Sequence, residues 1–148
     1  MDQTMKNKGF ISEAVCESEE CRFLDRFNSL FVSDTNDPRY DLEEILASLT
    51  EDITWEMVGD ERFSGIDAVR KSFERTPEMG DITMDRMVVE RIYADRQGGV
   101  SSGYGVMSDG SGYRFADVVT FSPKELKISE LRAFLVIMDE DEVEQLKH

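Results

Sequence analysis

Apolar residues begin to recur at helical spacing soon after Glu17. Phe23, Leu24, Phe27, Leu30 and Phe31 fall three and four apart and predict one buried helix stripe. The polar run from Ser33 to Asp37 ends that helix. Asp37 and Pro38 then suit the cap and first turn of a second helix, whose stripe is Leu42, Ile45, Leu46 and Leu49. Ile53 to Val58 alternates with period two and predicts a strand. Gly59-Asp60-Glu61 makes a turn, and Arg62 to Ser64 is a short extended stretch. Gly65 opens a third helix with Ile66, Val69 and Phe73 inward, ended by Pro77 and Gly80.

The rest of the chain predicts strands: Ile82 to Ala94, Val100 to Met107, Tyr113 to Phe121 and Lys127 to Ile137. Asp109-Gly110 between the second and third is a hairpin signal. Helices followed by an antiparallel meander define an α+β fold, with the helices covering the concave face of a curved sheet. Residues 1–16 are polar and aperiodic and read as a flexible N-terminal arm. Residues 17–138 form the domain, and 139–148 an acidic tail, either a short helix or disordered.

A chain of 148 residues suits one domain. Its 32 acidic and 17 basic residues give a net charge of −15, which argues against nucleic acid and anionic membrane surfaces as partners. No apolar run is long enough for a membrane span, and the N-terminus lacks the pattern of a secretory signal, so a cytoplasmic location is expected. Cys16 and Cys21 are five apart and could form a disulfide, but two cysteines make no framework. With His148 the only histidine, no metal site is expected, and no cofactor is called for.

The strand 113–121 carries the chemistry. Tyr113, Phe115, Asp117, Val119 and Phe121 share one face, and Arg114, Ala116, Val118 and Thr120 the other. The aromatic face should be buried, with Asp117 at its centre, where a carboxylate is costly unless paired or protonated. A two-residue turn at Asp109-Gly110 would set Ser102 opposite Asp117 and Tyr104 opposite Phe115. A four-residue turn over 122–125 would set Glu130 opposite Asp117, with Arg132 on the diagonal. Either register is reversed by a one-residue slip. The candidate cluster is therefore Asp117, Ser102, Tyr104, Glu130 and Arg132, readable as acid–base machinery or as a satisfied structural network. Trp55, Met57 and Phe73, with Phe115 and Val119, would line an apolar pocket. Met84, Met87 and Met107 would add adaptable surface.

Two stretches, Leu49-Thr-Glu-Asp-Ile-Thr-Trp-Glu-Met-Val-Gly59 and Phe63-Ser-Gly-Ile-Asp-Ala-Val-Arg70, resemble the signature of SnoaL-like proteins. These belong to the nuclear transport factor 2-like superfamily, with ketosteroid isomerases and polyketide cyclases. Phe115 to Phe121 and Lys127 to Phe134 are similar to that family's last two strands. The likeness runs from about Phe23 to Met138. It implies a cone-shaped α+β barrel with a deep pocket, often dimerising through the outer sheet face. Asp117 falls where ketosteroid isomerases keep a protonated aspartate that donates to the substrate oxyanion. Their general-base aspartate would fall at Met57, and their oxyanion tyrosine at Phe23 or Phe27. Neither methionine nor phenylalanine can do those jobs, so steroid isomerisation by that route is not expected. In polyketide cyclases a late-strand acid acts as base, a part open to Asp117.

Fold likeness alone fixes no activity. The expected function is acid–base chemistry on a small hydrophobic carbonyl compound, with Asp117 as acid or base and Tyr104 and Arg132 polarising. Non-catalytic ligand binding, or a homodimeric interaction module, are the alternatives.

Overall fold

The computed structural model describes residues 9–31, 42–74 and 84–146, the Met84 side chain excepted. Strand β1 (Phe10–Ser12) is followed by helix α1 (Glu19–Ser29), helix α2 (Leu42–Ala47), strands β2 (Leu49–Met57) and β3 (Arg62–Ser64), and helix α3 (Ile66–Glu74). Strands β4 (Met84–Ala94), β5 (Gly98–Met107), β6 (Gly112–Phe121) and β7 (Ile128–Ile137) come next, then helix α4 (Glu140–Leu146). The expected Asp37–Pro38 cap and the Pro77 and Gly80 stop lie outside the described residues.

Helix α1 starts where Ser18 caps it, its side chain accepting from the Cys21 N–H. Glu19 and Glu20 in the first turn and Arg26 in the last complement the helix dipole. Leu24, Phe27 and Leu30 are buried as the periodicity predicts, and Phe23 and Phe31 pack against the same core.

The seven strands form one curved, unclosed sheet in the order β1-β4-β5-β6-β7-β2-β3. The four-strand meander is antiparallel throughout. Strand β2 instead pairs parallel with β7, which brings Trp55 level with Leu131. The ladder is interrupted by register shifts between Val89 and Arg91 and between Thr120 and Phe121, the kind of irregularity that bends a sheet. At Gly103 a Cβ would collide with the Val88 backbone, so β4 and β5 approach more closely there than any other residue permits. Helices α1 and α3 pack on the inner side, over a core that includes Leu24, Phe27, Ile53, Val69 and Leu131. No helix among the described residues is long and apolar enough to cross a membrane.

Two elements differ from the sequence reading, and two open alternatives are settled. Leu49 is buried but opens β2 beside Ile128 rather than closing the helix stripe, because the chain leaves the helix at Ser48. Within the expected arm, Phe10–Ser12 pair parallel with Met87–Val89 on the sheet edge, and Phe10 packs on the core. Cys16 and Cys21 are joined as a disulfide, which ties that segment to the first turn of α1. The tail forms α4, whose Val143 is buried on the outer face against Val88, Tyr104, Val106 and Met138.

Candidate functional site

The inner face of the sheet and the two helices enclose a cavity of about 500 Å³. One wall is aromatic. Phe27 of α1, Phe31 just beyond its end, Trp55 of β2 and Phe73 of α3 pack tilted or edge-on with ring centroids 5.0–6.2 Å apart. Met57, Met87 and Met107 add flexible apolar surface. Strands β6 and β7 supply the floor with Tyr113, Phe115, Asp117, Leu131, Ala133 and Leu135.

Asp117 is half-buried, and the surface it keeps faces this cavity. It has no hydrogen-bond or ion-pair partner among the described residues. Burial alone pushes its carboxyl up to about 7, far above the ordinary range of an aspartate. Tyr113 lies on the same face, four residues earlier. Its ring covers Gly105, where a Cβ would come within 2.6 Å of Cζ. Burial, and then the charge of Asp117, push its phenol up to about 12, so it stays a neutral donor. Its backbone lies roughly 13 Å from that of Asp117, with Phe115 between them.

The expected cluster does not assemble. Asp117 is opposite Ser101 on β5 and Ala133 on β7. Ser102 pairs with Ala116 and Tyr104 with Arg114, so both belong to the outer face. Tyr104 is buried there beneath α4. Glu130 pairs with Thr120 and Arg132 with Val118, again outside. The Arg132 guanidinium lies 3.6 Å from Glu130 and 3.8 Å from Glu56, half exposed to water. Val119 points inward but fills the core and does not border the cavity. Trp55, Met57, Phe73 and Phe115 do border it, as Met87 and Met107 do. The side chain of Met84 lies outside the described residues.

Two loops explain the reversal. Asp109-Gly110 is part of a three-residue loop, not a two-residue turn. Gly110 N–H donates to Met107 O, Met107 N–H to Ser111 O, and Gly110 takes φ +88°. Asp109 holds the loop by accepting from the Ser111 N–H and hydroxyl. The extra residue shifts β5 by one and turns its faces over. Between β6 and β7 the loop runs from Ser122 to Lys127, and Ser129 is an additional residue in the ladder. Asp117 consequently meets Ala133 instead of Glu130.

Sequence reasoning missed Asn28. It is 2% exposed, borders the cavity and donates to Ser101 Oγ at 2.9 Å. Its signal was a polar residue on the same helix face as Leu24 and Phe31. Glu61, from the β2–β3 turn, is a second lining carboxylate, but it is exposed at the mouth.

The SnoaL-like domain family matches residues 22–131, most of the chain. The chain belongs to the SnoaL-like domain family. Solved structures of the nuclear transport factor 2-like type share its fold. A proposed ketosteroid isomerase from Kribbella flavida is 20% identical with a TM-score of 0.61, over 82% of this chain and 80% of that one. An LEH-like epoxide hydrolase from M. tuberculosis is 20% identical with a TM-score of 0.56, over 80% and 83%. An NTF2-like protein from Anabaena variabilis is 16% identical with a TM-score of 0.60, over 85% and 96%. At these identities the likeness is one of fold. No match to a curated protein was found. The sequence resemblance sets Met57, and either Phe23 or Phe27, at the isomerase's base and tyrosine positions. Of these, Met57 and Phe27 border the cavity.

Proposed function

We propose that this SnoaL-like domain takes a small, mostly apolar carbonyl compound into the cavity and that Asp117 exchanges a proton with it, in the manner of an isomerase or cyclase. The observation that carries this reading is a carboxyl without a partner among the described residues on a mostly apolar wall. Such a group is poorly placed for structure, since it costs stability when charged. It is well placed for chemistry, since its protonation is balanced near neutral pH. As an acid it would donate to the carbonyl oxygen. As a base it would take a proton from the adjacent carbon. No part is left for Tyr104 or Arg132, which lie on the outer face.

The test is hydrogen exchange in D2O with 1-tetralone as probe, followed by proton NMR at the carbon next to the carbonyl. The expected outcome is exchange faster than in buffer, reduced to the buffer rate by Asp117→Asn. A probe that binds and exchanges no faster than in buffer would reject the catalytic role.

That second outcome would favour non-catalytic binding, the reading supported by the absence of a second acid at Met57. We include a homodimer in the proposal, supported by the exposed outward residues Val118, Phe134 and Val136, with sedimentation at micromolar concentration as its check. A cytoplasmic location also remains a proposal. The Cys16–Cys21 bond weighs against a strongly reducing compartment, and a thiol count on protein taken directly from cells decides the point.

A further inference from the structure

Asn28 interrupts the apolar stripe of α1 at a position 2% exposed. Both hydrogens of its amide are committed, one to Leu24 O at 2.9 Å and one to Ser101 Oγ at 2.9 Å. That fixes the amide's orientation, because a flipped group would turn Oδ1 against the Leu24 carbonyl, acceptor facing acceptor. Tying α1 to β5 accounts for the nitrogen and leaves the oxygen unexplained. Oδ1 has no partner among the described residues, yet it is not sealed off from space, and Asn28 borders the cavity. An acceptor in that position is satisfied only by a donor that enters the cavity, water or a group on a bound molecule.

From this the structure assigns Asn28 Oδ1 as the acceptor for a hydroxyl or N–H group on the bound molecule, so that the ligand is a hydroxylated carbonyl compound and not a plain ketone. The inference rests on the carbonyl reading of the cavity and adds the second polar group. Its position restricts the ligand further. Asn28 is anchored on Ser101, which lies directly across from Asp117 on the neighbouring strand. Adjacent strands are roughly 5 Å apart. A carbonyl at Asp117 and a donor at Asn28 therefore lie within the span of one small molecule, and hydroxytetralones with the hydroxyl at different ring positions sample that separation. The two residues divide the recognition: a carboxylic acid can donate, whereas the locked amide oxygen only accepts.

The experiment measures binding of 1-tetralone, of 2-, 4- and 5-hydroxy-1-tetralone, and of the methyl ethers of those three. In the wild-type protein at least one hydroxy probe should bind about tenfold more tightly than both 1-tetralone and its own methyl ether. In Asn28→Leu that advantage should vanish while 1-tetralone binding changes less than about threefold. Because Asn28→Leu removes a buried tie and the variant can fail to fold, the wild type provides an independent readout. The side-chain amide resonances of Asn28 should shift with the preferred hydroxy probe and not with its ether. Equal affinity for hydroxy and ether probes, or an advantage that survives in Asn28→Leu, would overturn the inference alone. If neither 1-tetralone nor any hydroxy probe binds, the carbonyl reading of the cavity falls and this inference falls with it.

Discussion

Strand β6 carries a charged residue type on each face, in opposite surroundings. Inward, Tyr113, Phe115 and Asp117 border a hollow walled by aromatic and methionine side chains. Outward, Arg114 lies 3.7 Å from Glu90 and 3.9 Å from Glu142, and the neighbouring Arg132 lies within 4 Å of Glu56 and Glu130, all of them near half exposure. The outer charges are many, paired and wet, so each pair contributes little. The inner carboxyl has no partner among the described residues, and exclusion of water alone brings its proton into balance near neutral pH. Which face a side chain takes decides its chemistry, and one residue of register decides the face.

The largest expected effect breaks the inner face at its centre. Asp117→Asn should slow the probe exchange by about 100-fold or more, while Tyr104→Phe and Arg132→Ala on the outer face change it less than about twofold. Comparable losses from all three would erase the distinction between the faces. Next, Ala133→Phe places a ring opposite Asp117, and 1-tetralone affinity should drop about tenfold or more as the hollow fills. Unchanged affinity would mean that the probe binds elsewhere.

A third prediction concerns stability against pH. The folded carboxyl of Asp117 titrates higher than it does in the unfolded chain. Between about pH 4 and pH 7 the folded state therefore holds a proton that the unfolded state has lost, and stability falls as pH rises through that window. Discounted for its partial exposure, the effect is on the order of 2 kcal/mol, and Asp117→Asn should remove it. Denaturant melts at pH 5 and pH 8 provide the check. The smallest effect is expected outside, where Arg132→Ala should change stability by less than about 0.5 kcal/mol in the same melts.

Faces within one strand were legible, because period two needs no knowledge of the partner. That put Asp117 on the aromatic side of β6 and Trp55 with Met57 on the inner side of β2. Partners across strands were not legible, because they depend on counting loop residues. The left-handed turn at Gly110 and the additional Ser129 each add one, which moved Tyr104, Ser102, Glu130 and Arg132 to the outer surface. Leu49 was drawn into a helix stripe because Leu46 precedes it by three. Strand β1 was invisible, since three residues are too few to show alternation. Asn28 was overlooked inside an apolar stripe that otherwise explained itself. The parallel pairing of β2 with β7, which closes the aromatic wall over the site, has no local signature at all.

The most direct test of the account is a carbon-13 NMR titration of the Asp117 side-chain carboxyl in the wild-type protein. A midpoint near 7 that moves when 1-tetralone occupies the cavity is the expected result. A midpoint near 4, the ordinary value for an aspartate in water, with no response to the probe would contradict it.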